Sequence, residues 1–237
     1  MRKRFLSLPA VAAAMTLITA WPASATVVWD GSATNGTGVF ASVLCDSPSS
    51  LTVENWGGSN TPVFGFNKAD GSQRCEGHSI RVGGSEYQFT GNNSSAYWLG
   101  WQSRTTTGNT GTVFQWKSNG TNDQNDQNYP VLMKVEDGQL KIWYVSPGET
   151  WHAAGSIAWS VDTWHKIQLG INARSGTAGS FQLYVDGQLV ADQSGVQTWD
   201  VLGNKPRWGT YEGPDDLGAT RNIIYGLKMG TSRADVD

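Results

Sequence analysis

Hydrophobic and polar residues alternate along most of the chain beyond its first 25 residues. Because successive side chains of a β-strand point to opposite faces, this period of two is typical of strands that bury one face. In residues 164–171, for example, Ile167, Leu169 and Ile171 share one side of the predicted strand. Stretches with apolar residues at the three-and-four spacing of a helix are hard to find, so the pattern predicts an all-β chain.

Asp-Gly pairs and Gly-rich connections divide the alternating segments into many short strands. Asp and Gly accept the positive backbone φ of a two-residue turn, so each Asp-Gly pair predicts a hairpin. The two hairpins join residues 129–135 to 139–145 through Asp137-Gly138, and residues 181–185 to 188–191 through Asp186-Gly187. Many short strands favour two stacked antiparallel sheets, and a jelly-roll sandwich gives one of them a concave surface that can face a ligand.

The first 25 residues have the parts of an export signal. A basic run at 2–4 precedes an apolar stretch at 11–20, and small residues at 23–25 offer a cleavage site. The apolar stretch is too short for a membrane helix that is retained. We therefore expect residues 1–25 to be removed, and residues 26–237 to form one secreted, monomeric domain with no membrane association.

The charge balance excludes one class of partner. Removal of the three basic residues of the signal leaves 14 of the 17 Lys and Arg residues against 20 acidic ones. Each phosphate contact needs its own cation, so a mildly acidic domain is not expected to bind nucleic acid through a broad basic face. An anionic partner must instead be held by a local group of cations.

Cys45 and Cys75 are the only two cysteines. An exported chain meets oxidising conditions, so we expect a disulfide between them that stabilises the fold by about 3–4 kcal/mol. A metal site is the alternative, but no CxxC or HxxxH partner lies nearby. The wholly polar segment 118–128 has oxygen ligands suited to a structural calcium ion, although its spacing does not match an EF-hand; a solvated loop or a lid over a groove are the other interpretations.

Two strand candidates place polar side chains on one face and aromatic ones on the other. In residues 114–117 and 205–211, alternation puts Phe114, Trp116 and Trp208 on faces that a core can use. A cationic row gains nothing from burial. We therefore predict that the opposite faces line one concave sheet, with the three aromatics packed beneath. The predicted row consists of Gln115, Lys117, Lys205, Arg207 and Tyr211.

Several short motifs follow one another in a fixed order. They are Arg-Cys-Glu-Gly-His at 74–78, Phe-Gln-Trp-Lys at 114–117, Trp-His at 164–165, Tyr-Val-Asp-Gly at 184–187 and the segment 205–211. This order resembles the jelly-roll polysaccharide lyases, most closely the glucuronan lyases and more distantly heparin lyase I and the alginate lyases. The resemblance implies a concanavalin A-like jelly roll in which a tyrosine, a histidine and an amide act on a uronic acid.

Carried onto this sequence, the resemblance implies catalytic roles for Tyr211, His78 and Gln115. It also implies that substrate contacts fall on Arg74, Lys117, Lys205 and Arg207. The chain departs from the Gln-x-His form of the strand motif by having Lys117 in place of the histidine. His78 also shares strand parity with the apolar Ile80, so a core histidine is the alternative unless a bulge at Gly77 turns it. Glu76 can orient its neighbours if it pairs with Arg74 or His78.

The implied reaction is β-elimination at a uronate of an acidic, unsulfated polysaccharide. Neutralising the carboxylate makes the C5 proton acidic, and one tyrosine can remove it and then protonate O4 when both lie on the same side of the ring. This chemistry requires no cofactor. A sulfated substrate such as heparin would call for more positive charge than this chain carries.

Two other functional classes remain open. A carbohydrate-binding module or lectin would suit the same fold and the many tryptophans, without needing a tyrosine flanked by cations. A glycoside hydrolase requires two carboxylates about 5–10 Å apart, and no Glu-x-Asp-x-x-Glu strand is present to supply them. A lyase differs from both because its product is an unsaturated uronate.

Overall fold

The computed structural model describes residues 27–93, 95–120, 129–213 and 215–237. The predicted export signal and most of the polar segment 118–128 lie outside the described residues. Within the described ranges the regular structure consists of β-strands and single 3-10 turns, as the period of two predicts. No helix in these ranges has the length and hydropathy needed to cross a membrane.

Seventeen strands follow one another along the described residues. They are β1 (Val27–Asp30), β2 (Ser42–Cys45), β3 (Ser50–Asn55), β4 (Pro62–Lys68), β5 (Arg74–His78), β6 (Arg81–Val82), β7 (Ser85–Glu86), β8 (Tyr97–Thr105), β9 (Gly111–Ser118), β10 (Val131–Glu136), β11 (Gln139–Ser146), β12 (Thr150–Ala158), β13 (His165–Asn172), β14 (Gly179–Val185), β15 (Gln188–Val196), β16 (Asn204–Tyr211) and β17 (Thr220–Gly230). The 3-10 turns are Ala33–Asn35, Thr37–Val39, Trp56–Gly58, Gly176–Ala178 and Arg233–Val236.

The strands form two large antiparallel sheets and one small hairpin. The sheet that we call the back sheet has the order β15-β14-β13-β8-β17-β4-β3, with β1 paired to β17. The front sheet has the order β12-β11-β10-β9-β16-β5-β2, and β6 pairs with β7 separately. About half of the neighbouring strands in the two large sheets are not consecutive in sequence, which is the crossover pattern of a jelly roll. The prediction of an all-β jelly-roll sandwich is confirmed.

An aromatic core fills the space between the two sheets. Phe114 and Trp208 of the front sheet are almost fully buried, as is Trp116. The ring of Phe114 stacks on Trp101 of the back sheet at 5.1 Å, and Trp208 meets Trp101 edge-on at 6.1 Å. Burying a side chain such as Phe114 contributes about 1.5–3 kcal/mol. The predicted inward side of both motif strands is therefore the core side.

Both predicted hairpins are present. Asp137-Gly138 connects β10 to β11, and Asp186-Gly187 connects β14 to β15. All four residues have positive φ, between 51° and 83°. Two consecutive residues with positive φ form a turn whose twist matches that of the flanking strands. This is why an Asp-Gly pair between two strands predicts a hairpin.

The predicted disulfide is also present, between Cys45 at the end of β2 and Cys75 in β5. The two cysteines lie directly opposite each other in the register of these strands. Because β2 is the outermost strand of the front sheet, the bond holds this edge to β5. It closes a separation of 30 residues, for which loop-closure entropy predicts a stabilisation of about 3–4 kcal/mol.

Candidate active site

Three adjacent strands, β5, β16 and β9, place the predicted polar side chains on the outer face of the front sheet. Arg207 of β16 lies opposite His78 of β5 on one side and Gln115 of β9 on the other. Tyr211, four residues further along β16, lies opposite Arg74. The pairing of β16 with β9 shifts between Trp208 and Tyr211, so Tyr211 faces Thr112. Register across the sheet thus brings three separate motifs together.

Gly209 makes this irregular stretch of β16 feasible. Its φ is 147°, a conformation that L side chains rarely adopt. A Cβ at this position would lie only 2.2 Å from the carbonyl oxygen of Cys75. The close approach of β16 to β5 therefore requires glycine immediately before Thr210 and Tyr211.

The outer face of the front sheet contains a cleft of about 370 Å³. Four of the described residues that line it are cations and one is a carboxylate, so its charge is opposite in sign to that of the protein as a whole. The charged lining residues are Arg74, Lys117, Lys134, Arg207 and Glu212. Gln115 and Tyr211 also line this cleft. Five of the seven residues predicted for the site therefore meet in one place.

A buried carboxylate organises the floor of the cleft. Glu76 has only 2% of its surface exposed, and its Oε1 accepts a hydrogen bond of 2.7 Å from Nε2 of Gln115. Its Oε2 lies 3.8 Å from a guanidinium nitrogen of Arg74 and 3.6 Å from Nε2 of His78. An unpaired carboxylate would be costly to bury, so these neighbours hold Glu76 and are oriented by it in turn.

His78 faces outward and does not belong to the core. It shares the outer face of β5 with Glu76, whereas Ile80 is fully buried in the core. His78 and Ile80 point to opposite faces because Ser79 between them has a φ of 54° and turns the chain directly after β5. The expected bulge at Gly77 is not the cause. His78 is not among the residues that line the cleft, and it reaches the site through Glu76.

Lys205, which the sequence predicts to contact the substrate, pairs with a carboxylate of the protein itself. In the register of β16 and β9 it lies opposite Lys117. Its ammonium donates a hydrogen bond of 3.0 Å to the carboxylate of Glu86 in β7. Lys205 is not among the residues that line the cleft, so its role in substrate binding stays a prediction.

Two groups in the cleft have strongly shifted pKa values. Burial, together with the nearby charge of Arg207, lowers the pKa of Lys117 to about 8. Burial, together with the carboxylate of Glu149, raises the pKa of Tyr129 to about 12. Burial also lowers the pKa of Arg207, although a guanidinium stays charged at any ordinary pH. Tyr129 therefore remains a neutral phenol, while Lys117 loses its charge within an accessible pH range.

The guanidinium of Arg74 lies over the ring of Tyr211, 4.5 Å from its centroid. A cation in this position is attracted to the ring face and fixes the orientation of both side chains. The ring of Tyr211 is thus paired with Arg74 at one end of the cleft. This is the tyrosine that the arrangement can use for proton transfer, since the phenolate of Tyr129 is strongly disfavoured.

Tyr129, Lys134 and Trp151 also line the cleft and were not predicted from the sequence. Alternation in β10 carried a usable signal for Lys134, because the neighbouring Met133 and Val135 are buried on the other face. Trp151 was harder to find, since the pairing of β11 with β12 shifts register between Ile142 and Trp143 and breaks the alternation. The described residues contain no group of three His, Cys, Asp or Glu side chains that could hold a metal ion.

A sequence model of the polysaccharide lyase family matches residues 42–226. The chain belongs to the polysaccharide lyase family. The match covers every strand that contributes to the cleft, from β5 to β16. This polysaccharide lyase therefore acts on a polysaccharide, and the resemblance noted in the sequence is confirmed. No curated protein sequence matches the chain.

Solved lyase structures share the fold of this polysaccharide lyase. An endo-β-1,4-glucuronan lyase from the fungus Trichoderma reesei superposes with a TM-score of 0.68 at 18% identity, over 90% of this chain and 98% of that one. An alginate lyase from Chlorella virus superposes with a TM-score of 0.53 at 13% identity, over 87% of this chain and all of the other. At such identities these likenesses establish the jelly-roll fold alone.

Proposed function

We propose that this lyase is exported and cleaves a β-1,4-linked, glucuronan-like polyuronide by β-elimination. The observation that carries the proposal is the convergence of Arg74, Arg207 and Lys117 with Tyr211 in one cleft of an otherwise acidic protein. Likeness to a solved glucuronan lyase along nearly its whole length supports this choice of substrate. The Cys45–Cys75 disulfide supports export, because such bonds persist in oxidising compartments.

Substrate binding would begin with the uronate carboxylates. The guanidinium groups of Arg74 and Arg207 can hold a carboxylate in a partly buried cleft, where charge pairing is stronger than in water. A modest number of cations fits one carboxylate per sugar better than dense sulfation. This argument favours an unsulfated polyuronide over heparin.

The elimination step needs the carboxylate neutralised at the reacting sugar. The amide of Gln115 and the charge of Arg207, which lie opposite each other in β9 and β16, are suited to this task. The Tyr211 phenolate then takes the C5 proton, the electron pair forms the C4–C5 double bond, and the C4–O bond to the leaving sugar breaks. Tyr211 returns the proton to that oxygen and is again a phenolate, so the cycle is balanced.

Glu76 and His78 would act through other residues. The 2.7 Å hydrogen bond to Glu76 fixes the amide of Gln115, and His78 lies 3.6 Å from the other oxygen of Glu76. In this scheme Glu76 is a positioning residue for Gln115, and His78 helps to hold the Glu76 carboxylate in place. The predicted catalytic role of His78 is thereby proposed as indirect.

The test is to incubate the protein lacking residues 1–25 with glucuronan, alginate and heparin and to follow the ultraviolet absorbance of unsaturated uronates. We expect the chromophore to form fastest with glucuronan and not with heparin. Binding of glucuronan without any chromophore would overturn elimination. Faster cleavage of alginate would overturn the assigned substrate and leave the reaction intact.

A further inference from the structure

An aromatic cluster lies on the side of the cleft away from Tyr211. Trp151 of β12 is 40% exposed, although it is a large apolar side chain. Its ring lies 5.3 Å from that of Tyr129 and meets Trp143 edge-on at 5.7 Å. These two contacts hold the indole in one orientation while much of its surface stays open, as a preformed binding surface requires.

Two cations accompany this cluster. The ammonium of Lys134 lies 5.7 Å from the centroid of the Trp151 ring, and that of Lys117 lies 5.5 Å from the centroid of Tyr129. Flat aromatic rings suit the apolar C–H face of a sugar, and the ammonium groups suit carboxylates at the rim of the same sugar. A neutral sugar would use the rings alone, so the combination favours a uronate.

Trp151 and Tyr211 reach the same cleft from different strands. Trp151 is on β12 and Tyr211 on β16, with β11, β10 and β9 between them. Tyr129 connects the two positions, since its ring contacts Trp151 and its phenol is close enough to Tyr211 for an electrostatic interaction. A sugar held at Trp151 is therefore a neighbour of the one that Tyr211 attacks.

We propose that Trp151, Tyr129, Trp143 and Lys134 form a subsite that binds a second uronate residue of the polysaccharide, on the β12 side of the sugar being cleaved. The inference rests on the proposed function of the cleft. The polysaccharide then runs across the strands of the front sheet from β16 towards β12. Affinity depends on chain length, because short oligosaccharides cannot reach both sites.

Binding measured in a Tyr211→Phe background separates this subsite from catalysis. Titration calorimetry with glucuronan should show an affinity about tenfold lower for the variant that carries both Tyr211→Phe and Trp151→Ala than for Tyr211→Phe alone. Trp151→Phe should restore most of the affinity, and Lys134→Gln should weaken binding and reduce its dependence on salt. In the wild-type background, Trp151→Ala should raise KM with little change in kcat.

Trp56→Ala is the matched control. Trp56 also lies under a cation, with Arg104 4.6 Å from its ring centroid, and meets Trp164 edge-on at 5.4 Å. It does not line the cleft, so its loss should leave glucuronan affinity unchanged. Equal affinity for the Trp151→Ala and Trp151→Phe variants and their Tyr211→Phe parent would overturn the subsite. Trp151-dependent binding by a wild-type protein that forms no unsaturated product would instead overturn the elimination and keep the subsite.

Discussion

Two buried charges, Lys68 and Glu76, lie close to the segment that contains Tyr211, and their surroundings differ. Lys68 contacts Glu212, and Glu76 lies opposite Gly209. Each has 2% of its surface exposed. The ammonium of Lys68 donates to the carbonyl oxygens of Ala69, Ser72 and Gly218 at 3.3, 2.9 and 2.5 Å, and lies 2.7 Å from Oε2 of Glu212. Every donor of this ammonium has an acceptor.

Glu76 is held less completely. Among the residues that the structure describes, only Gln115 lies at hydrogen-bond distance, and the nearest nitrogens of Arg74 and His78 lie beyond 3.5 Å. Within the described part of the chain, Oε2 of Glu76 and Nε2 of His78 have no hydrogen-bond partner. A fully satisfied buried charge stabilises one conformation, whereas a partly satisfied one can respond to a ligand. We therefore expect Lys68 to contribute mainly to stability and Glu76 mainly to function.

The largest effect expected on the functional side is that of Tyr211→Phe. Removing the hydroxyl that carries the proton should lower kcat at least about 1,000-fold, with affinity for glucuronan little changed. Steady-state kinetics and calorimetry measure the two quantities. Tyr129→Phe is the matched control, because its phenol stays neutral, and kcat should remain within a few-fold of wild type. Near-normal turnover of Tyr211→Phe beside an inactive His78→Ala would make the histidine the base.

Lys68→Met should have the largest effect on stability. It leaves the carboxylate of Glu212 and three carbonyl oxygens without their cation, so we expect the free energy of unfolding to fall by about 3–5 kcal/mol. Urea denaturation measures this loss, and adding Glu212→Gln should recover part of it. Well below the melting temperature, kcat should change much less than for Tyr211→Phe or Glu76→Gln. An unchanged urea midpoint for Lys68→Met would show that Lys68 and Glu76 do not differ in their contribution to stability.

Glu76→Gln should show the opposite balance. The shape of the side chain is kept, and the nitrogens of Arg74 and His78 lie beyond hydrogen-bond distance, so the free energy of unfolding should fall by less than for Lys68→Met. Turnover should fall by about 10–100-fold, because the amide of Gln115 loses its charged acceptor. Thermal melting and kcat on glucuronan are the measurements. A large loss of stability with normal kcat would show that Glu76 behaves like Lys68.

The smallest effect expected concerns the pH dependence of Lys117. Because its pKa is lowered to about 8, the ammonium loses its charge above that pH, and kcat/KM should fall a few-fold there. Lys117→Arg should extend the plateau to higher pH. The unfolded chain binds more protons at this lysine between about pH 8 and its ordinary pKa of 10.5, so its contribution to stability should rise with pH across that window. Parallel pH profiles of the wild type and Lys117→Arg would contradict the assignment.

The sequence by itself determined the strands and which way their side chains point. Alternation assigned Gln115 and Lys117 to the outer face of β9 and Trp116 to the core, because that pattern is a local property of an extended backbone. The Asp-Gly turns are also set by local backbone conformation. Two cysteines leave only one possible disulfide pairing. These predictions needed no knowledge of which strands are neighbours.

Only the tertiary structure decided which of these faces meet and where parity is broken. Glu76 pairs with Gln115, 39 residues away, and Lys205 with Glu86, 119 residues away. The φ of Ser79 breaks the parity between the outward His78 and the buried Ile80, and the shifted pairing of β12 brings Trp151 into the cleft. Such contacts depend on strand order and register, which backbone hydrogen bonds and packing between distant segments fix together. A local pattern of period two contains no information about them.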